Sequence, residues 1–423
     1  MSRTKLLERS DPSKAISAST FHRWGSSGKV GHCVLLILLL VTIVLRTSLI
    51  FTTQGTIDVL NYARVANIVL SLGPFSLYKD TQGIYPYPPM WVWFEVAAHL
   101  VSLTKIVSFP VAVRLPAILA EAGIVHLIWC QHANHGPKNA ALWCLAYVLN
   151  PVSIIVTSLH GQFDAIPVYL MLLSAYTLSR KRRLWLSAIV LGLAICFKPF
   201  PVLILPIFVS MLPSSKLRIV FSALSLAPVA LLLSPFLLHS PGAVMKELFG
   251  YQGVGLLGIL VPIRIGYTLL ASSKLPVEYT EQIISLSRWL FLATYTVLTL
   301  SLWNRPMPIY NAMVIVFSLF YLVFAGISPQ YLLWIVPLLW FANISHPRLL
   351  WGYLAAATLA LLAFYQYGIP QSLPFTIHSP RSLNVALYGL CGSIWWLANG
   401  ILLITLLRHH LMFSYSTHPV EDC

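Results

Sequence analysis

The sequence predicts an all-α fold, a multi-pass transmembrane helical bundle of about 11–13 spans. The chain has 423 residues, of which 58% are hydrophobic and 9% are charged, so it lacks the polar surface that a soluble protein of this size presents to water. Apolar segments of about 17–25 residues recur between residues 33 and 407, and each could cross a hydrocarbon core of about 30 Å as a helix. Basic residues lie in the short loops and tails between these segments, which is typical of the cytoplasmic side of a membrane protein.

The basic residues also indicate the orientation of the bundle. A basic tail spans residues 1–32, Arg180 to Arg183 separate two apolar segments, and Arg408 begins the C-terminal tail at 408–423. All three regions should face the cytoplasm, with a single transmembrane domain at 33–407 between the tails. The net charge of +15 would suggest a nucleic-acid partner in a soluble protein, but its distribution here favours a cell-membrane protein that contacts lipids and binds no nucleic acid.

The elements of the N-terminal half follow from this orientation. The segment 33–51 is a retained first span, because it begins only after residue 32 and has no small-residue cleavage site. Segments 110–130, 140–158 and 163–179 then cross in turn, which places "HGQFD" at the outer surface. The apolar piece 90–104 must begin and end outside, so we expect it to be a juxtamembrane helix within a large first outer loop at 52–109.

The C-terminal half is more broken. Segments 184–196 and 200–212 are short, are separated by "FKPFP" and return the chain to the inside, and 217–238 runs outward again. Residues 239–284 form an outer region, although hydropathy leaves open whether its apolar middle crosses the membrane. The remaining turns alternate, with 304–306 and 346–348 inside and 326–331 and 365–382 outside.

Acidic residues are the first candidates for chemistry, because the chain has only 12 and carboxylates near hydrocarbon are costly. Asp58 begins a helix directly after the first span, where it could act as a general base or simply complement the helix dipole. Asp80 lies in a polar loop, where solvation of its charge explains its presence at least as well as a functional role does. Glu95 and Glu121 are expected to be hydrogen-bonding partners inside the bundle. The basic residues available to them there are His99, Arg114 and His126.

Polar residues of the outer segments are the second group of candidates. His160, Gln162 and Asp164 could point into one cavity, although helix capping would explain Asp164 and a structural role would explain His160. Lys198 lies in apolar sequence between two broken helices and needs an anion, which could be a phosphate group or Asp164. Gln330 in "SPQY" could bind a sugar hydroxyl or a lipid headgroup, as could the Tyr beside it. No metal-ligand cluster or Gly-rich nucleotide fingerprint accompanies these residues, so we predict no metal and no other cofactor.

The order of five features resembles the multispanning GT-C glycosyltransferases: an acid just after the first span, then "YPYPP", "HGQFD", "FKPFPVLILP" and "SPQYLLW". The resemblance covers roughly residues 33–345 and is nearest to bacterial mannosyltransferases that use polyprenyl-phosphate-mannose. It implies a GT-C bundle whose large first outer loop carries a catalytic acid near its start, and Asp58 is the matching position. Some relatives have two acids in tandem there, whereas Ile57 and Val59 flank a single acid in this chain.

The resemblance also implies the reaction. A hexose, mannose in that family, would pass with inversion from a polyprenyl-phosphate donor to a glycolipid or glycan acceptor on the extracytoplasmic face, or in the endoplasmic reticulum lumen of a eukaryote. Asp58 would be the general base. The expected donor- and acceptor-binding residues are Asp80, Tyr85, Tyr87, His160, Gln162, Asp164, Lys198, Lys246, Arg264, Gln330 and Tyr331. The alternative is a lipid-linked sugar flippase, but the chain shows no internal repeat, which favours the enzyme.

Overall fold

The computed structural model describes residues 27–305, 307–344, 346–369 and 380–415. Within these ranges the chain is helical, with one isolated antiparallel bridge between Leu257 and Ile327, so the predicted all-α class is confirmed. The basic N-terminal residues 1–26 and the tail residues 416–423 lie outside the described residues. The cytoplasmic location of both termini therefore stays a prediction.

The helices of the N-terminal half follow the predicted apolar segments closely. They are α1 (Ser27–Thr52), α2 (Ile57–Leu72), α3 (Ser76–Lys79), α4 (Trp91–Leu103), α5 (Phe109–His132), α6 (Pro137–Val148), α7 (Pro151–Ser153) and α8 (Ala165–Ser179). A 3₁₀ turn, Ala133–His135, follows α5, and a π-helical segment, Ile154–His160, follows α7. The predicted outer loop contains α2, α3 and α4, and α4 has 13 residues, too few to span a bilayer as a helix.

The C-terminal half contains more interruptions. Its helices are α9 (Leu184–Phe197), α10 (Leu205–Ser210), α11 (Ser215–His239), α12 (Pro241–Val244), α13 (Leu260–Ala271), α14 (Val277–Asn304), α15 (Ile309–Val323), α16 (Leu332–Ile335), α17 (Pro347–Gly368) and α18 (Arg381–Tyr415). Short 3₁₀ segments lie at Phe200–Ile204, Pro329–Tyr331 and Pro337–Trp340, and a second π-helical segment lies at Met245–Phe249.

Six of the described helices are long and apolar enough to cross a membrane. They are Val30–Thr52, Phe109–His135, Ser215–His239, Val277–Asn304, Pro347–Gly368 and Arg381–His410. A seventh crossing is formed if α6 and the stretch Pro151–His160, which meet at 45°, make one bent span. Six further apolar helices have 10–17 residues, which is short for a span. The chain is thus a multi-pass bundle, and the expected count of about 11–13 crossings stays a prediction.

The bend between α6 and the stretch Pro151–His160 has a local cause in the sequence. Pro151 has no N–H to continue the hydrogen bonds of α6, so it can only begin a new helix. The side chain of Asn150 caps that new helix by accepting a hydrogen bond from Ser153 N at 3.3 Å. The helix then widens into the π-helical segment and ends at Gly161, whose φ is +88°. Interruptions of this kind occur often at functional sites, and this one delivers the polar "HGQFD" stretch into the protein interior.

A buried arginine holds the end of this segment against the first span. The guanidinium of Arg114, on α5, donates to Ser158 O at 2.8 Å, to Ile50 O at 2.8 Å and to Thr53 O at 2.6 Å. The last carbonyls of a helix have no partner within that helix, so this one side chain satisfies groups at the ends of both elements. Arg114 therefore pairs with backbone carbonyls instead of the expected glutamates.

The two buried glutamates differ from each other. Glu121 is a hydrogen-bonding partner as expected, but it accepts from Tyr147 at 2.8 Å and from Thr157 at 2.6 Å and lies 3.4 Å from Arg46. Glu95 is fully buried, and neither of its carboxylate oxygens has a partner among the described residues, so its expected pairing was wrong. The partners of Glu121 lie on α1, on α6 and on the π-helical segment, which sequence spacing could not bring together.

The close approach of α2 to the π-helical segment gives a first testable prediction. A Cβ atom at Gly161 would lie 2.5 Å from Cγ2 of Val59 and 3.1 Å from Cδ of Arg114. Since φ is also positive there, we expect Gly161→Ala to lower the free energy of unfolding by about 1–3 kcal/mol. Thermal unfolding in detergent micelles would measure this loss. Gly266→Ala on α13, where nothing lies within 4 Å, is the control and should not destabilise the protein. Equal stability of the two variants would contradict the prediction.

Candidate active site

Asp58 is placed beside the "HGQFD" stretch by hydrogen bonds at the start of α2. The residue before this helix, Thr56, donates to His160 O from both its backbone N and its Oγ1, each at 3.1 Å. The first turn of α2 is therefore fixed to the last residue of the π-helical segment. Asp58 lies in that first turn, so its side chain is brought to His160 by backbone geometry.

The carboxylate of Asp58 is held at one oxygen and open at the other. Nε2 of His160 and Nε2 of Gln162 each lie 2.6 Å from Oδ2. The second oxygen, Oδ1, accepts no hydrogen bond from the described residues, and the side chain is 28% exposed. A carboxylate so arranged has a fixed orientation and one oxygen available to a molecule that enters the site.

The surroundings keep Asp58 ionised. Burial raises the pKa of this carboxyl, but the hydrogen bonds from His160 and Gln162 and the nearby positive charge outweigh burial. The pKa of Asp58 consequently lies below its ordinary value. At neutral pH the group is a carboxylate that can accept a proton.

A second carboxylate, that of Asp164, forms a buried ion pair with Lys198. Lys198 ends α9 in an extended conformation at the "FKPFP" break, and its Nζ lies 2.6 Å from Asp164 Oδ2. The two side chains are 4% and 0% exposed. Of the two anions that the sequence offered for Lys198, this structure provides Asp164.

Gln162 joins the two carboxylates into one network. Its Oε1 accepts from Lys198 Nζ at 3.2 Å and from the hydroxyl of Tyr62 at 3.1 Å, while its Nε2 donates to Asp58. The amide is thus oriented by two donors, so that its N–H group must face Asp58. The alternation of His160, Gln162 and Asp164 along "HGQFD" places all three in the network, as the sequence predicted.

Aromatic rings line the side of the network that faces the first outer loop. Phe163 stacks on Trp91 with 4.2 Å between centroids and meets Tyr87 edge-to-face at 5.2 Å. Lys198 Nζ lies 4.5 Å from the ring centre of Phe163 and 5.0 Å from that of Tyr87, so both rings face its charge. Tyr85, in contrast, is fully buried and uses its hydroxyl within the turn, where it donates to a carbonyl and accepts from the N–H of α4.

The other expected binding residues lie in the outer region with different surroundings. Arg264 donates to Gly255 O at 2.6 Å, and Lys246 is exposed. Asp80 follows the last residue of α3, and its carboxylate accepts no hydrogen bond from the described residues. Gln330 is buried, and the hydroxyl of Tyr331 pairs with a neighbouring tyrosine. None of these five contacts Asp58 directly. Tyr331 stacks on Trp334 with 4.0 Å between ring centroids, and the indole N–H of Trp334 donates to Asp164.

Three residues in contact with the network were not singled out from the sequence. Tyr62 reaches it from the buried face of α2, one turn after Asp58, and periodicity could have identified it. Trp334 ends the quoted "SPQYLLW" motif, and its indole N–H donates to Asp164 Oδ1. Tyr365 is hydrogen-bonded to Nδ1 of His160 and belongs to α17, although the sequence predicted an outer loop from that residue onward. Nothing in its local sequence connects it with the site.

Comparison with protein families gives a match over part of the chain. Residues 75–214 match the family model described as Alpha-(1->6)-mannopyranosyltransferase, N-terminal domain. No curated protein matches the chain. The matched region includes His160, Gln162, Asp164 and Lys198 but begins after Asp58. It covers less than half of the chain, and it agrees with the resemblance, because three of the five features that carry the resemblance lie within it: "YPYPP", "HGQFD" and "FKPFPVLILP". Over residues 75–214, this multi-pass helical protein is similar to the alpha-(1->6)-mannopyranosyltransferase family.

Proposed function

We propose that this protein is an integral-membrane GT-C glycosyltransferase that transfers mannose from a polyprenyl-phosphate donor to a glycolipid or glycan acceptor. The match to a mannosyltransferase domain supports mannosyl transfer. The observation that carries the proposal is the state of Asp58, an ionised carboxylate whose Oδ2 is held by two donors and whose Oδ1 is available. This is the arrangement that a general base requires.

The proposed reaction needs a single displacement. The acceptor hydroxyl donates its hydrogen bond to Oδ1 of Asp58, and its oxygen attacks the anomeric carbon as the proton moves to the carboxylate. The bond between this carbon and the phosphate oxygen breaks on the opposite side, and polyprenyl phosphate leaves with the electron pair. The configuration at the anomeric carbon is inverted. Because the leaving group is a stable anion, the proposed mechanism uses no metal and no other cofactor.

The remaining residues have supporting roles in this proposal. Lys198 is already paired with Asp164, so in this proposal it orients Gln162 and lowers the pKa of Asp58 instead of binding phosphate directly. The exposed Lys246 and the half-buried Arg264 are then the candidates for the donor phosphate. Four further polar residues are the proposed partners of sugar hydroxyls. These are Asp80, Tyr87, Gln330 and Tyr331.

The location follows from the position of the base. Asp58 lies in the first turn after α1, which the basic N-terminal tail places at the outer end of that span. The active site would face away from the cytoplasm, at the cell surface or in the endoplasmic reticulum lumen of a eukaryote. Nucleotide-sugars are made in the cytoplasm, so a donor carried by a membrane lipid suits a site on this side.

A transfer assay tests the proposed function directly. Purified protein in liposomes should move radiolabelled mannose from polyprenyl-phosphate-mannose to a membrane glycolipid and release polyprenyl phosphate in equal amount. The same vesicles report movement of labelled donor between leaflets. Flipping of intact donor without any transfer would overturn the proposal in favour of the lipid-linked sugar flippase.

A further inference from the structure

We propose that Tyr365 is a positioning residue for the general base, acting through His160. The hydroxyl of Tyr365 is hydrogen-bonded to Nδ1 of His160, whose Nε2 is hydrogen-bonded in turn to Oδ2 of Asp58. The inference extends the proposed function, because it assigns to a helix near the C-terminal end of the bundle a role in orienting a carboxylate of the first outer loop.

The geometry of the pair is well suited to fixing the imidazole ring. The rings of His160 and Tyr365 meet edge-to-face, with 5.7 Å between centroids and an interplanar angle of 87°. His160 is 5% exposed and Tyr365 is fully buried, so water does not compete for Nδ1. The backbone of His160 is held independently, since its carbonyl accepts two hydrogen bonds from Thr56. The ring can therefore change its orientation only by rotation about its side-chain bonds, which the tyrosine opposes.

The chain of hydrogen bonds has one direction when His160 is neutral. A carboxylate oxygen can only accept, so Nε2 of His160 must carry the hydrogen that it donates to Asp58. Nδ1 is then the unprotonated nitrogen, and the hydroxyl of Tyr365 donates to it. Asp58 thus sets the Nε2–H tautomer of His160, and the hydroxyl of Tyr365 holds the other nitrogen of the ring in place. With this donor present at Oδ2, the other oxygen of Asp58 is left for the acceptor hydroxyl.

Removing the tyrosine hydroxyl would remove the contact that holds the ring at Nδ1. In Tyr365→Phe the buried Nδ1 has no donor, so nothing on that side opposes rotation of the imidazole away from the carboxylate. Asp58 would then lose a hydrogen bond at Oδ2 and its fixed orientation. We expect the turnover number for mannosyl transfer to fall by about 10–100-fold, with the KM for the donor unchanged, since loss of orientation acts on the chemical step.

A matched control is available on the same helix. Tyr353 is equally buried on α17, and its hydroxyl accepts a hydrogen bond from Trp395 at 3.3 Å. It lies twelve residues from Tyr365, about 18 Å along the helix. Tyr353→Phe therefore also removes a buried hydroxyl from α17, but away from the base. A purely structural role for Tyr365 predicts the same kinetic change in both variants.

The deciding measurement is the tautomer of His160, from ¹⁵N solid-state NMR of ¹⁵N-histidine-labelled protein in lipid, with His160→Gln to assign its signals. We expect a protonated Nε2 and an unprotonated Nδ1 in the wild type and in Tyr353→Phe, and in Tyr365→Phe a changed chemical shift of the unprotonated Nδ1, which reports the lost hydrogen bond. A protonated Nδ1 in the wild type, whether in the Nδ1–H tautomer or in a doubly protonated ring, or unchanged signals and turnover in Tyr365→Phe, would overturn the inference. The wild-type spectrum gives this answer even if Tyr365→Phe does not fold. If the wild type transfers no sugar, the proposed function fails while the spectrum still tests the contact.

Discussion

Asp58→Asn is expected to lower the rate of mannosyl transfer by roughly 10²–10⁴-fold, the usual contribution of a general base. The asparagine has nearly the same shape, and its side-chain oxygen can still accept from His160 and Gln162, so the network should persist. It cannot accept the proton of the acceptor hydroxyl. The effect should therefore appear in turnover, with little change in the amount of folded protein.

The measurement is initial-rate transfer of radiolabelled mannose by purified protein in liposomes, beside Glu281→Gln as the control. Glu281 is an exposed acid on α14, so its variant loses the same charge at a distance from the network. The control should retain wild-type turnover. Because the pKa of Asp58 is lowered, the wild-type rate should show no loss from protonation of this group between pH 5 and 8, the range of the assay. Undiminished transfer by folded Asp58→Asn would remove Asp58 from the proposed mechanism.

Lys198→Met is expected to have the largest effect on stability, a loss of about 3–5 kcal/mol in the free energy of unfolding. Methionine can fill the apolar part of the lysine site, but it leaves the carboxylate of Asp164 buried without its counter-charge. Trp334 would remain as the donor to that carboxylate, and one neutral N–H does not replace an ammonium at 2.6 Å. Gln162 would also lose a donor that orients it toward Asp58.

The double variant Asp164→Asn with Lys198→Met separates the ion pair from packing. With both charges removed, most of the loss in the single variant should be recovered, because no unpaired charge stays buried. Titration with a denaturing detergent would measure the free energy of unfolding of the four proteins in this double-mutant cycle: the wild type, the two single variants and the double variant. The exposed lysine variant Lys274→Met should change stability by less than about 0.5 kcal/mol. If the double variant were no more stable than Lys198→Met alone, the ion pair would not be the source of the loss.

The predicted and observed elements agree where the signal is local. The helix boundaries of α5, α9 and α11 lie within a few residues of the apolar segments, since length and hydropathy decide where a helix can lie in a membrane. The crossing expected at 140–158 is different, because Pro151 bends it and the π-helical segment carries it on to His160. At Tyr365 the prediction failed in the other direction, because it ended the helix too early. A loop was expected there, but nothing before Gly368 breaks α17, so the helix continues through the tyrosine.

The sequence by itself determined the fold class and the residue types of the candidate site, and the outer location of "HGQFD" stays a prediction. Each depends on composition, hydropathy or spacing within a few turns of chain, and these quantities can be read from a single segment. It also identified Asp58, through its position directly after the first span. What it left open was the partner of each of these groups.

Only the tertiary structure decided those partners. Asp58 and His160 are 102 residues apart, and His160 and Tyr365 are 205 apart, so no periodicity relates them. Their contact depends on how the π-helical segment packs between α2 and α17. Hydrogen bonds from Arg114 and Thr56 to the carbonyls of this segment help to fix its position. A buried polar group requires a partner wherever packing provides one, and packing is a property of the whole bundle. The local sequence therefore determines which side chains the candidate site contains, and distant parts of the chain set the orientation of Asp58, the proposed base.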